Sequence, residues 1–131
     1  MDPKKRGLVL LALLFAASVL MCQAEEKKMK MHKNVKVMKQ EIENQIPIGS
    51  SIKDAKRIME ANAFKCKLEE RGSFAEMGDD ERFVRRHDNA DFLYCDKEKR
   101  GFICSRRWQV AIVHKDTVVS GIFVSISQNC P

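Results

Sequence analysis

The chain has 131 residues, with 24 basic and 18 acidic side chains and a formal charge of +6. Without residues 1–24, which hold three basic residues and one acidic residue, the charge is +4 on about 107 residues, the length of one small domain. This mild charge, interspersed with acidic residues, does not argue for a nucleic-acid-binding protein, and no stretch after residue 24 is long and apolar enough to span a bilayer.

The first residues are typical of an export signal. A basic start is followed by an apolar run, Leu8 to Met21, which is short for a membrane span of roughly 20 residues. The small Ala24 suits a signal peptidase that would release a chain beginning at Glu25. We therefore predict a signal peptide over 1–24 and a periplasmic or secreted protein.

Two alternatives to that cut stay open. Cleavage before Cys22 would leave a lipid-anchored N-terminus, although Met21 stands where lipoprotein signals place a small residue. An uncleaved anchor helix is the other alternative, and the shortness of the apolar run argues against it.

Residues 25–34 are charged and lack a period, and they predict a linker before a single domain over 35–131. The next apolar residues recur at helical spacing until Pro47, and they predict a first helix on the positions Met31, Val35, Met38, Ile42 and Ile46.

The segment 46–64 predicts a turn followed by a capped helix. Gly49 suits the turn, Ser50 or Ser51 can cap the first free amides, and Asp54 follows Ser51 at capping-box spacing. The helix is expected to end near Asn62.

The rest of the chain predicts a long loop and then an antiparallel meander. Residues 67–90 are polar and aperiodic, which indicates a long loop. Strands are predicted over 92–95, 107–114 and 118–127, with a tight turn at 115–117. In the last strand, Ser120 is expected on the face of Ile122, and Val119 on the opposite face with Phe123. The fold class is therefore α+β, with two short helices packed on a three- to four-stranded antiparallel sheet.

The order of these elements resembles two families. The turn and helix around Ile-x-Ile-Gly-Ser-Ser-Ile, then Phe-x-Cys, Asp-Phe-Leu-Tyr-Cys and a Trp-led hairpin, are similar to the repeat unit of the β-lactamase inhibitory proteins. They also look like the small envelope lipoproteins of the SmpA/OmlA type, which help to assemble the outer membrane. The resemblance spans about residues 46–127, and it implies the fold more than the function. The inhibitor repeat also implies a disulfide between the helix end and the first strand, here Cys66–Cys95.

After residue 24 the cysteines form an even set, which in a small exported chain indicates disulfides: Cys66, Cys95, Cys104 and Cys130. Three pairings are possible. We favour Cys66–Cys95, which would close the long loop, with Cys104–Cys130, which would pin the C-terminal tail. The spacing lacks the paired knuckles of a zinc site, and we predict neither a metal nor another cofactor.

A basic group with interleaved aromatic residues is the best candidate for a binding site: Lys97, Lys99, Arg100, Arg106, Arg107 and Trp108. The alternative is a solvated hairpin with a core tryptophan. Neither His32, His87 nor His114 stands in a recognisable catalytic motif, and we expect no enzyme. The function that fits best is an exported module that binds another protein. The alternatives are a basic-patch binder of anionic envelope polymer or lipid headgroups, and a small hydrolase or thiol enzyme.

Overall fold

The computed structural model describes residues 27–131. The predicted signal peptide, its cleavage site and Cys22 lie outside these residues. Two helices and four strands follow in chain order: α1 (Val35–Gln45), α2 (Ile52–Ala61), β1 (Lys65–Met77), β2 (Phe83–Arg100), β3 (Ser105–Lys115) and β4 (Val118–Asn129). The strands form one antiparallel sheet in the order β1-β2-β3-β4, which confirms the α+β class. No helix in the described part is long and apolar enough to cross a membrane.

Helix α2 forms where its local signals predict it, whereas α1 begins only at Val35, so that Met31 of the predicted stripe precedes the helix. The Asn34 side chain caps α1 by accepting a hydrogen bond from the Val37 amide at 3.1 Å, and Val35, Met38 and Ile42 are buried. Helix α2 begins after Ser51, whose hydroxyl accepts from the Asp54 amide at 3.1 Å. It ends at Ala61, with Asn62 as its C-cap, close to the predicted end.

The turn before α2 fastens that helix to the last strand. Gly49 adopts a positive φ of 98°, which favours glycine, and its amide donates to the Val119 carbonyl at 2.9 Å. The Val119 amide donates in return to the Ser50 carbonyl at 2.8 Å. These bonds hold the N-terminus of α2 at the end of the β3–β4 hairpin.

The prediction of a long loop over residues 67–90 is wrong. Most of this segment belongs to β1 and to the first half of β2, joined by a short turn after Met77. Its irregular sequence conceals the strands because the pairing shifts register between Glu69 and Gly72, between Gly72 and Phe74, and again at Met77. Such bulges interrupt the alternation by which strands are recognised.

The linker prediction for residues 25–34 is also wrong for the described residues 27–34. Met29 is buried in the core, and its amide donates to the Asn62 side chain at 2.8 Å. Farther along, the His32 carbonyl accepts a 2.8 Å hydrogen bond from the Trp108 indole. This segment therefore packs on the domain because apolar methionines alternate with its charges.

One face of the sheet, which we call the covered face, packs against both helices. Its strand residues are buried together with the helix stripes: Leu93, Cys95, Trp108, Val110, Ile112, Val119, Ile122, Val124 and Ile126. The expected grouping of Ser120 with Ile122 is wrong. Val113 pairs with Gly121 and His114 with Val119, so Ser120 is an extra residue in a bulge, and Val119 turns to the covered face.

Candidate functional site

We call the opposite face of the sheet the outer face. The far part of the β1–β2 hairpin bends over this face. We call this part, residues 72–90, the arm. Strands β1 and β4 form opposite edges of the sheet, yet the ring of Phe74 lies 5.2 Å from that of Phe123 on β4. The arm must therefore fold across β2 and β3 to reach β4.

The fold-back originates at the bulges around Gly72. The backbone of Arg71 has a positive φ of 48°, and its amide donates to the Asp91 carboxylate at 2.9 Å. A Cβ on Gly72 would lie 3.1 Å from the Phe92 ring, so a side chain there would press on the outer face. Glycine thus allows the arm to approach the sheet closely.

An aromatic cluster holds the arm against the outer face. The rings of Phe74 and His87 stack with centroids 4.7 Å apart, and His87 lies 4.9 Å from Phe123. Phe74 also meets Phe92 edge-on at 5.0 Å. The Glu76 carboxylate fixes the position of His87, with a 2.9 Å contact to its Nε2, and also pairs with Arg85 at 3.1 Å.

A cavity of about 670 Å³ lies between the arm and the outer face. Aromatic and small side chains line it, together with a few polar groups. Among the polar groups, the Gln109 amide donates to the Tyr94 hydroxyl at 2.6 Å, and Ser125 lies opposite Gln109 on β4. This volume is in the range of clefts that hold small ligands or inserted side chains.

The structure does not bring the predicted basic group together on one surface. Lys97, Lys99 and Arg106 share the face of Trp108, whereas Arg100 and Arg107 point to the outer side, because neighbouring residues of a strand alternate. Arg107 makes a two-pronged ion pair with Asp96 at 2.8 and 3.0 Å. The hydrogen bonds to Asp96 raise the pKa of Arg107 above its ordinary value, so this cation already has its counter-ion.

Trp108 and Lys97 belong to the packing of the domain. Trp108 is 3% exposed and is tied to the N-terminal segment by its indole hydrogen bond. The Lys97 ammonium donates to the Asn62 carbonyl at 2.9 Å and lies 5.6 Å above the Phe64 ring. Partial burial lowers the pKa of Lys97, and repulsion from Lys28 and Lys99 adds to this shift.

The cysteines bear out one predicted pairing. Cys104 and Cys130 form a disulfide with Cα atoms 4.3 Å apart. Cys66 and Cys95 lie directly opposite each other on β1 and β2, but their sulfur atoms are 2.6 Å apart as free thiols, longer than a disulfide of about 2.05 Å. The predicted Cys66–Cys95 disulfide is thus absent from the structure, although the two cysteines are adjacent on neighbouring strands. The hydrogen bond with Cys66, followed by burial, raises the pKa of Cys95.

Within residues 27–131, no cluster of His, Cys, Asp and Glu side chains is arranged to hold a metal ion. Of the histidines, His32 lies 3.7 Å from Glu41 and His87 belongs to the aromatic cluster.

Sequence reasoning missed the residues around the cavity. The one available signal was Phe123, which alternates with the buried Ile122 and Val124 and so faces away from the helices. That the arm covers it depends on contacts between distant strands.

Comparisons with protein-family models, with curated protein sequences and with solved structures find no match for this chain. The resemblance to the β-lactamase inhibitory and SmpA/OmlA-type proteins therefore stays a prediction.

Proposed function

We propose that the chain is an exported, non-catalytic binding module whose outer face receives an apolar loop of a partner protein. The observation that carries this proposal is the half-covered aromatic surface beneath the arm. Phe74 and Phe123 remain partly exposed there, and a cavity separates the arm from the outer face. An apolar surface that is left open in this way is characteristic of interaction sites.

The arrangement around the cavity supports a protein loop as the occupant. Aromatic rings form its centre, and polar groups such as Gln109, Ser125 and Ser73 lie around them. Protein interfaces have this anatomy, in which a desolvated aromatic core is surrounded by a polar rim. The tyrosine hydroxyl and the glutamine amide on the floor would orient an incoming backbone by hydrogen bonds.

The site is also held in shape before any partner arrives. The arm is fixed by the stacked rings and by Glu76, and the floor is the middle of a four-stranded sheet whose other face is the core. A preformed site avoids the entropic cost of ordering a loop upon binding.

Export is supported by the basic and apolar start of the sequence and by the Cys104–Cys130 bond, since disulfides persist in oxidising compartments. N-terminal sequencing of the protein recovered from its cells is expected to begin at Glu25. A blocked N-terminus at Cys22 would show a lipid anchor instead, and a chain that begins at Met1 would contradict export by cleavage.

The binding proposal is tested with a matched pair of variants on β4. Ser125→Arg places a long charged side chain in the cavity, whereas Ser127→Arg introduces the same side chain two residues farther along the same face, outside the lining. A protein captured by the wild-type chain is identified, purified and titrated against all three forms by calorimetry.

We expect Ser125→Arg to weaken binding at least tenfold, because it blocks the centre of the interface, and Ser127→Arg to leave the affinity within about twofold. Equal affinities for both variants would contradict the proposal. So would a wild-type chain that captures no protein but takes up a small apolar compound in the cavity, since that result would make the site a ligand pocket.

A further inference from the structure

The turn between β2 and β3 presents two large apolar side chains to solvent. This Phe102 turn comprises residues 101–104, and Phe102 is 103% exposed and Ile103 68% exposed. The Gly101 amide donates to the Cys104 carbonyl at 2.8 Å, and a Cβ on Gly101 would lie 2.7 Å from that oxygen, so the tight turn requires glycine. The Cys104–Cys130 disulfide fixes the base of the turn to the C-terminal end of β4.

Basic side chains without acidic partners stand directly behind this turn. Lys99 lies opposite Arg106 in the register, and like charges in that position destabilise a sheet. Among residues 27–131, no ion pair is formed by Lys99, Arg100 or Arg106, and Arg106 makes a long 3.4 Å bond to Gln128. Lys99, Arg106, Gln128 and Trp108 line a notch of about 200 Å³.

The far end of the arm provides an internal comparison. Phe83 and Val84 are also an exposed aromatic–aliphatic pair, 63% and 51% accessible, and arginines flank them. There, however, each arginine has an acidic partner: Arg82 pairs with Asp80, Arg85 with Glu76 and Arg86 with Asp88. The two ends of the molecule thus carry similar apolar pairs, and only the Phe102 turn keeps its positive charge unneutralised.

We propose that the Phe102 turn docks the protein onto an anionic phospholipid bilayer, with Phe102 and Ile103 entering the headgroup region and Lys99 and Arg106 binding lipid phosphate. This inference is independent of the protein-binding site on the outer face, which lies on other residues.

A bilayer fits this surface because the apolar pair projects from a narrow tip. A protruding tip can enter a soft interface, and the adjacent cations then meet the phosphate level. Lys97 lies on the same face of β2 as Lys99, two residues away, and extends the positive charge beyond the notch. This charge complements an anionic membrane, where each basic residue near the surface adds about fivefold to the affinity.

The test is co-sedimentation with vesicles of phosphatidylcholine alone or mixed with phosphatidylglycerol, using protein that lacks residues 1–24 so that the apolar leader cannot insert. The core residues named above all belong to residues 27–131, and near-ultraviolet circular dichroism verifies the fold of the shortened protein and of each variant. Two variants remove the proposed contacts, Phe102→Ser with Ile103→Ser and Lys99→Gln with Arg106→Gln. The matched controls are Phe83→Ser with Val84→Ser and Lys53→Gln with Lys115→Gln.

We expect the wild type to bind the vesicles that contain phosphatidylglycerol and not those of phosphatidylcholine alone. The affinity for the anionic vesicles should fall at least tenfold in both turn variants and change by less than about twofold in both controls. The proposal is overturned if the wild type ignores anionic vesicles, or if the turn variants bind like the controls. It is also overturned if inorganic phosphate at low millimolar concentration and constant ionic strength displaces the protein, because the notch would then be a site for free phosphate. A folded protein that fails here but binds a partner through the outer face leaves the proposed function intact.

Discussion

The two faces of the sheet are built from alternate residues of the same strands, yet they differ in how far they are buried. On the covered face, Ile112, Ile122 and Val124 are buried beneath the helices. On the outer face, the neighbouring Phe123 and Tyr94 stay partly exposed beneath the arm. Burial on one face supplies most of the stability, and the other face keeps apolar groups that are partly accessible to solvent.

The strongest test of this difference compares adjacent residues of β4. Ile122→Ala removes a fully covered side chain and is expected to lower the free energy of unfolding by about 2–5 kcal/mol. Phe123→Ala removes a larger side chain but one that is partly exposed, so we expect a smaller loss, of about 1–2 kcal/mol. Urea denaturation measures both, and a larger loss for Phe123→Ala would contradict the assignment of the core.

The end of the sheet beside the Phe102 turn depends on the Cys104–Cys130 bond. This bond joins two residues that are 26 positions apart in the sequence. Replacing both cysteines with serine is expected to cost about 3–4 kcal/mol by the chain-entropy argument. Non-reducing peptide mapping should find this pair linked, and crossed pairing with Cys66 or Cys95 would contradict the strand order.

The buried Cys95 thiol, which lies beside the half-buried Cys66, is expected to make stability sensitive to alkaline pH. Because the pKa of Cys95 is raised in the folded protein, both folded and unfolded chains hold this proton below the ordinary value of 9.0. Above that pH only the unfolded thiol ionises, so stability is lost as the pH rises. The urea midpoint is measured at pH 7 and at pH 10. Its decrease between these two pH values should be larger for the reduced wild type than for Cys95→Ala.

A Cys66–Cys95 disulfide would abolish that difference, since it has no proton to lose. Peptide mapping under non-reducing conditions decides between the bond that the sequence predicted and the thiol pair of the structure.

Polar contacts of the outer face are expected to contribute least to stability. Arg107 and Asp96 are paired at the surface, where water and salt screen the attraction. A double-mutant cycle with Arg107→Gln and Asp96→Asn is therefore expected to give a coupling below about 1 kcal/mol. A coupling of several kcal/mol would show that this face is a structural element in its own right.

The helices and the β3–β4 hairpin were predictable because their signals are local. Ser51 and Asn62 mark the ends of α2, and Asp116 and Thr117, both with positive φ, form the tight turn expected between the last strands. Such features depend on residues a few positions apart in the sequence.

The arm and its cavity were not predictable from the same information. The strands of the arm are stabilised by cross-strand polar pairs, such as Ser73 with Asp88 and Arg85 with Glu76, in place of an apolar period. Its contact with Phe123 joins the two edges of the sheet. The sequence therefore predicted a binding site in the basic hairpin, whose charges the strand alternation divides between two faces.

Site-specific photo-crosslinking tests the central claim, that the outer face is where a partner protein binds. A benzoylphenylalanine residue is placed at Ser125 in the cavity or at the exposed Lys53 on α2, and each folded protein is irradiated in an extract of its source cells. We predict one dominant adduct from residue 125, with the crosslinked peptide in a single partner, and none from residue 53. Adducts of equal yield from both positions, or from residue 53 alone, would contradict the claim.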